Sequence, residues 1–200
     1  IGRLVMEKGL DVFSDTIDML EKQQVRHKVL VIGDGPARAW FEHRLPNAIF
    51  VGFQSGNDLG RAAASMDMLF NPSVTEAFGN VTLEALACRA PVVAARATGS
   101  DSLVQDGRTG RLIRPGAIGQ FAQALRGYLE DAALRRTHGA AAKAFADQYR
   151  WDTVNQAMLD TYLRVLAQRH HGAGARWHGR AEDRRRLPAH AHPRRAGARL

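Results

Sequence analysis

The chain has 200 residues, of which 45% are hydrophobic and 24% charged, and this suits one globular domain with room for a short extra element. It holds no run of about 18 apolar residues, and its N-terminal segment lacks a signal-peptide pattern, so neither a transmembrane helix nor a signal peptide is predicted. The formal net charge of +8 is uneven, because residues 169–200 hold nine Arg against one Glu and one Asp and carry +7.

Apolar periodicity alternates between strands and helices from residue 1 to about 168. The first residues, without an initial Met, resemble the end of a strand, so we expect a truncated first strand inside a larger protein. The predicted strands are 29–32, 49–51, 68–70, 91–94 and 110–113. The predicted helices are 9–24, one from Pro36, one capped by Asn57 or Asp58 and ending near Ser65, 79–88, 118–128, 131–147 and 152–167.

This alternation implies βαβ crossovers and therefore an α/β fold with a doubly wound parallel sheet and helices at its C-terminal end. Ligands of such sheets bind beyond the carboxyl ends of the strands. Five loops are expected at that edge: 2–8, 33–36, 52–56, 71–80 and 95–101.

Residues 169–200 differ from the domain predicted over 1–168. They contain almost no large apolar side chains, so we expect a disordered basic tail. Contact with an anionic membrane surface is one role for such a tail, whereas nucleic-acid binding is disfavoured because no aromatic platform accompanies the charge. An alternative origin is a shifted reading frame of a GC-rich gene, which produces this composition.

Cys88 is the single cysteine, which excludes an internal disulfide and favours a reducing, cytoplasmic compartment. Its apolar, helical surroundings predict a buried structural thiol. His27, His43 and His138 are scattered through the domain and are predicted to be surface residues.

The segment from Glu76 to Glu84 is the most informative, because it follows a buried strand and opens a helix. Gly79 lets a ligand approach the backbone, and free N–H groups of the first helical turn, about 79–82, favour a phosphate. Glu76 and Glu84 flank this turn and could accept hydrogen bonds from sugar hydroxyls. The pattern suits a nucleotide sugar, with Glu84 on the ribose and Glu76 on the hexose. The alternative interpretation is an ordinary helix with a favourable first-turn acid and a solvated Glu76.

A second cluster, residues 2–9, places Arg3 at a strand end and Lys8 near a helix start on the same rim. Two cations aimed at one point would neutralise the charge of a departing diphosphate. The alternative interpretation is two solvated surface cations. Gly33-Asp34-Gly35-Pro36 has an adequate backbone explanation, and no phosphate-loop, dinucleotide or metal-ligand spacing occurs, so no metal or other cofactor is expected.

Together these segments resemble the C-terminal, donor-binding domain of retaining GT-B glycosyltransferases in the group 1 family. Glu76 and Glu84 match that family's E-x7-E motif, Arg3 and Lys8 its phosphate-binding loop, and Asp106-Gly107-Arg108-Thr109-Gly110 its late D-G-x-T-G segment. The sequence of residues 75–84 is most similar to that of members that make mannosyl, glucosyl or sulfoquinovosyl lipids and glycans. Position 89 departs from the family by being Arg in a turn that often has Gly.

The resemblance implies transfer of a hexose from GDP-mannose or a UDP-hexose to a lipid or glycan acceptor, with retention and without a required metal. It implies that Arg3 and Lys8 hold the diphosphate, Glu84 the ribose and Glu76 the sugar, with amides near Phe78, Gly79 and Asn80 assisting; Glu76, Arg3 and Lys8 are the expected catalytic set. The N-terminal acceptor domain would be the partner of this chain, which we expect to be inactive alone. A cytoplasmic enzyme, peripheral at the inner membrane face, fits these expectations.

Two other functions remain open at this stage. One is a GT-B-like nucleotide-sugar epimerase, which would need a general acid or base beside the sugar, and this chain offers only Glu76. The other is a non-catalytic nucleotide-sugar-binding module that uses the basic tail.

Overall fold

A computed structural model describes residues 1–172 of the chain. Residues Ile1–Asn155 form one compact unit, and a second unit begins at Gln156. The strands are β1 (Leu30–Val31), β2 (Ile49–Phe50), β3 (Leu69–Asn71), β4 (Val92–Ala95) and β5 (Gly110–Ile113). The helices are α1 (Leu10–Lys22), α2 (Arg38–Arg44), α3 (Gly56–Ala64), α4 (Asn80–Ala87), α5 (Thr98–Leu103), α6 (Ile118–Glu130), α7 (Ala132–Ala146) and α8 (Trp151–Gly172). Two 3-10 turns span Met6–Lys8 and Asp147–Tyr149.

All strand pairs are parallel along the described chain. β1 pairs with β2, and β4 lies between β3 and β5, with Val92 opposite both Leu69 and Gly110. Strands joined in parallel by helical crossovers are the α/β arrangement that the alternating pattern predicts, so the predicted fold class is confirmed.

β4 shows why the sequence at 92–95 is continuously apolar. Val93 and Ala95 face a core that contains α1 and α6, whereas Val92 and Ala94 face a second core with α4 and α7. Alternate residues of a strand point to opposite faces, so this strand is covered by helices on both sides. This two-sided burial is the doubly wound arrangement.

The N-terminal segment adds itself to the sheet beside β1. The Gly2 N–H donates to the Ile32 carbonyl at 2.8 Å, on the edge of β1 opposite β2, and the Leu4 N–H donates to the Asp34 carbonyl at 2.9 Å. The approach requires Gly33, because a Cβ there would lie 1.8 Å from the Gly2 carbonyl oxygen. Residues 33–36 therefore serve a backbone purpose, and Arg3 is held at the carboxyl edge of the sheet.

Two helix starts differ from the prediction. α2 begins at Arg38 rather than at Pro36, because the Ala37 N–H donates to the carbonyl of Leu4 at 3.0 Å and so belongs to the contact with the first segment. α3 begins at Gly56 after an extended Ser55, whereas Asn57 or Asp58 was the predicted cap.

Two further helices differ in existence or length. α5 forms where the sequence predicts a loop, since Leu103 is the single large apolar residue in its sequence and gives no periodicity. α8 continues to Gly172, beyond the predicted end at 167. Within the described residues no helix is long and apolar enough to cross a membrane. The remainder of the predicted tail lies outside the described residues.

Candidate functional site

Lys8 and Arg3 are presented by a short segment that leaves the sheet and turns into α1. Lys8 is the last residue of the 3-10 turn Met6–Lys8, and Gly9 follows in the left-handed region with φ 71°. Arg3 is exposed on the extended segment before this turn. Within residues 1–172 its guanidinium forms no ion pair, so it is available to an anion from solution.

Both cations line the same open cleft, whose volume is about 920 Å³. The cleft lies at the carboxyl edge of the sheet, where ligands of doubly wound folds bind. Its lining consists of Arg3, Val5, Met6, Glu7, Lys8, Pro36, Ala37, Trp40 and Thr75. The structure thus brings together the two predicted phosphate ligands.

Glu76 is joined to this cleft through Lys8. The Lys8 Nζ donates to Glu76 Oε1 at 2.6 Å, and the two side chains are 32% and 16% exposed. The Thr75 hydroxyl donates to the Glu7 carbonyl at 3.3 Å, which ties the loop after β3 to the segment before α1. The residue predicted to bind the sugar and a residue predicted to bind the phosphate are therefore partners of each other.

α4 begins beside this pair. Gly79 precedes it in the left-handed conformation with φ 90° and ψ 50°, and no side chain in the described part of the chain caps the helix. The first N–H groups of α4 therefore lack a side-chain acceptor and can take a phosphate oxygen. Asn80 is exposed at the first helical position. Phe78 is 46% exposed, and its ring centroid lies 6.1 Å from that of Tyr149 in an edge arrangement.

Glu84 lies one turn further along α4 and outside the lining of the cleft. Partial desolvation raises the pKa of its carboxyl.

Three contributors were not singled out as site residues from the sequence. Trp40 and Thr75 line the cleft. The Gly99 N–H donates to the Glu76 carbonyl at 3.1 Å, and a Cβ at Gly99 would lie 2.7 Å from that oxygen, so α5 supports the Glu76 loop. Trp40 lies on α2, the helix that follows the loop 33–36 predicted at this edge of the sheet, and that position is the signal available in the sequence.

Two predictions about isolated side chains can be compared with the structure. Cys88 was predicted to be buried but is half-buried; desolvation, followed by the negative charge of Glu84, raises the pKa of its thiol and so disfavours the reactive thiolate. Of the three histidines predicted to lie on the surface, His43 is exposed, whereas His27 and His138 are half-buried. The Nδ1 of His138 lies 2.7 Å from the Tyr128 hydroxyl. Among the described residues, no group of three or more His, Cys, Asp or Glu side chains could hold a metal ion.

The arrangement offers positive charge and free amides to an anion, with carboxylates close by to accept hydrogen bonds from hydroxyl groups. An anionic group that carries polyols on both sides matches these features. The fold and the site therefore define an α/β domain with a cationic cleft at the carboxyl edge of its sheet.

Comparison with known proteins identifies the family of this domain. The family model for glycosyl transferases group 1 matches residues 1–131. The chain therefore belongs to the glycosyl transferases group 1 family.

Individual relatives and a solved structure agree with this assignment. Sulfoquinovosyl transferase SQD2 of Arabidopsis thaliana is 35% identical over 156 residues, which cover 76% of this chain and 30% of the relative. A GDP-mannose-dependent alpha-mannosyltransferase of Mycobacterium tuberculosis is 31% identical, over 84% of this chain and 43% of the relative. The crystal structure of Anabaena HepE in complex with UDP-glucose superimposes with a TM-score of 0.67 at 27% identity, over 82% of this chain and 48% of that one. The chain spans less than half the length of each of these proteins, and its fold is the Rossmann-like half of a GT-B glycosyltransferase.

Proposed function

We propose that this chain is the donor-binding part of a hexosyltransferase that uses a nucleotide diphosphate sugar. The single observation that carries the proposal is the cleft at the carboxyl edge of the sheet, which both Arg3 and Lys8 line, with Glu76 held against Lys8. Membership of a glycosyltransferase family and similarity to a protein solved with UDP-glucose support the same conclusion.

In this proposal, Arg3 and Lys8 bind the diphosphate together with the uncapped amides after Gly79. Glu76 accepts hydrogen bonds from the hexose hydroxyls and Glu84 from the ribose, while backbone near Phe78 and Asn80 lies against the sugar and phosphate. The donor is GDP-mannose or a UDP-hexose, as the names of the relatives suggest for each type. No metal takes part, because the two cations neutralise the diphosphate.

The reaction breaks the bond between sugar C1 and the diphosphate oxygen, and that oxygen keeps the electron pair. The oxygen of an acceptor hydroxyl forms a new bond to C1 with the same anomeric configuration, and the hydroxyl proton leaves with the diphosphate. Positive charge at Arg3 and Lys8 stabilises the negative charge that grows on the diphosphate. The acceptor is a lipid or glycan bound by an N-terminal domain, so the chain does not turn over alone. The full enzyme works in the cytoplasm, at the inner face of the membrane.

Binding to the 200-residue chain tests the donor assignment. Calorimetric titrations with UDP, UDP-glucose, GDP and GDP-mannose should give measurable affinity for one nucleotide series. Arg3→Met or Lys8→Met should weaken that affinity about tenfold, because each removes a charge-assisted hydrogen bond to phosphate.

Arg126→Met is the matched control, since Arg126 lies on α6 with its side chain 50% exposed, and its loss should leave nucleotide affinity unchanged. The proposal is overturned if neither series binds, or if the three substitutions reduce binding equally.

A further inference from the structure

The Lys8–Glu76 ion pair connects the segment before α1 with the loop after β3. Its partners are 68 residues apart in sequence and 2.6 Å apart in space. The backbone around the pair holds it in place: a Cβ at Gly9 would lie 3.1 Å from the Pro72 carbonyl oxygen, so the segment before α1 packs closely on the loop after β3. The pairing thus belongs to the packed structure of the cleft.

The proposed function gives these two residues different ligands, a phosphate for Lys8 and sugar hydroxyls for Glu76. In the structure each is the other's partner. A ligand that satisfies both residues can replace the ion pair without loss. A ligand that binds Lys8 alone leaves the half-buried carboxylate of Glu76 without a hydrogen-bond donor. It also places the negative charge of the ligand next to that carboxylate.

We infer that the Lys8–Glu76 pair makes the cleft discriminate between a nucleotide sugar and the nucleoside diphosphate that remains after transfer. This inference rests on the proposed function, and Glu76 is its specificity-determining residue. With the sugar present, hydroxyl groups donate to Glu76 and Lys8 is released to the diphosphate. Once the sugar has gone, Glu76 competes with the diphosphate for Lys8, and the product is bound more weakly.

Neutralising the charge of Glu76 separates its competition with the diphosphate for Lys8 from its binding of the sugar hydroxyls. In Glu76→Gln the amide no longer competes for Lys8 or repels phosphate, so affinity for the nucleoside diphosphate should rise roughly three- to tenfold. Affinity for the nucleotide sugar should fall or stay constant, because the charged acceptor of its hydroxyls is lost. Calorimetry on the 200-residue chain with UDP against UDP-glucose, and GDP against GDP-mannose, measures both constants.

Two control substitutions remove the same charge elsewhere. Glu84→Gln should weaken the nucleoside diphosphate and the nucleotide sugar by the same factor, because both ligands contain the ribose. Glu130→Gln, which breaks an ion pair with Arg126 on α6, should change neither affinity. Thermal unfolding checks that each variant is folded, and Glu76→Ala provides a second neutral side chain, for which the same rise is expected.

The outcomes distinguish this inference from the proposed function. If the wild-type chain binds nucleotides and either folded variant at position 76 shows no selective gain in nucleoside diphosphate affinity, the discrimination role is wrong and the donor site stands. If wild-type chain binds no member of either series, both are wrong. A selective gain for the nucleoside diphosphate in both folded variants supports the inference.

Discussion

At the scale of single residues, His138 shows how packing changes the chemistry of a side chain. Its ring lies 5.7 Å from the Tyr128 ring in an edge arrangement, with Nδ1 2.7 Å from the buried hydroxyl. Desolvation, and secondarily the positive charge of Arg111, lowers the pKa of His138 below its ordinary value of 6.5. Burial likewise raises the pKa of Tyr128 to about 12. Both side chains are therefore neutral in the folded protein at pH 7.

This lowered pKa gives a testable dependence of stability on pH. Below about pH 6.5 the unfolded chain binds a proton at His138 more readily than the folded chain does, so the free energy of unfolding falls as the pH decreases. We expect His138→Gln to remove this part of the decrease between pH 7.5 and 5.5 in urea unfolding. His43→Gln, at an exposed position of α2, should keep it. Equal pH profiles for wild type and His138→Gln would contradict the assignment.

At the scale of elements, the end of α4 contains a conformation that its residue does not favour. Arg89 has φ 62°, and the N–H groups of Arg89 and Ala90 donate to the carbonyls of Leu86 and Ala85 at 3.1 and 3.0 Å. This pair of bonds is the Schellman ending of a helix, which usually has Gly at the left-handed position. The Arg that departs from the family pattern therefore occupies a strained site.

Replacement of this residue should stabilise the fold. Arg89→Gly removes the steric cost of the left-handed backbone, and we expect an increase of about 0.5–1 kcal/mol in the free energy of unfolding, measured by urea titration. Arg136→Gly removes the same side chain from an exposed position within α7, where glycine should cost about 1 kcal/mol. A loss of stability in both variants would show that Arg89 makes contacts that outweigh its strain.

The elements also show what sequence patterns can and cannot predict. β4 was predictable because four consecutive apolar residues are buried on both faces, and α6 because its apolar residues recur at helical spacing. α5 was not, since its six residues include one large apolar side chain and its position depends on the Glu76 loop. Short helices held by tertiary contacts leave no periodic signal.

The site also has features that the sequence predicts and features that it does not. The rule that ligands bind at carboxyl ends of strands was enough to place Arg3 and Lys8 on one rim. The Lys8–Glu76 pair was beyond such reasoning, because its two residues are brought together by the packing of loops that are 68 residues apart. Local patterns identify candidate ligands, but which ligands pair with each other depends on the folded backbone.

At the scale of the whole molecule, positive charge and the proposed donor site lie in different parts of the chain. Residues 173–200 contain eight Arg against Glu182 and Asp183, so their removal lowers the formal net charge from +8 to +2 and leaves every described residue in place. Each Arg near an anionic membrane contributes about 1 kcal/mol of attraction at most, and salt screens it.

We therefore expect the whole chain to cosediment with vesicles that contain phosphatidylserine and to dissociate at about 0.5 M salt, at which the Debye length falls to a few ångströms. A chain that ends at residue 172 should lose this binding, whereas its affinity for nucleotides should be unchanged because Arg3, Lys8 and Glu76 remain. Vesicles of phosphatidylcholine alone should bind neither chain. If the shortened chain cosediments as well as the whole one, the basic segment is not the membrane contact. If it also loses nucleotide affinity, the donor site depends on residues beyond those that line the cleft.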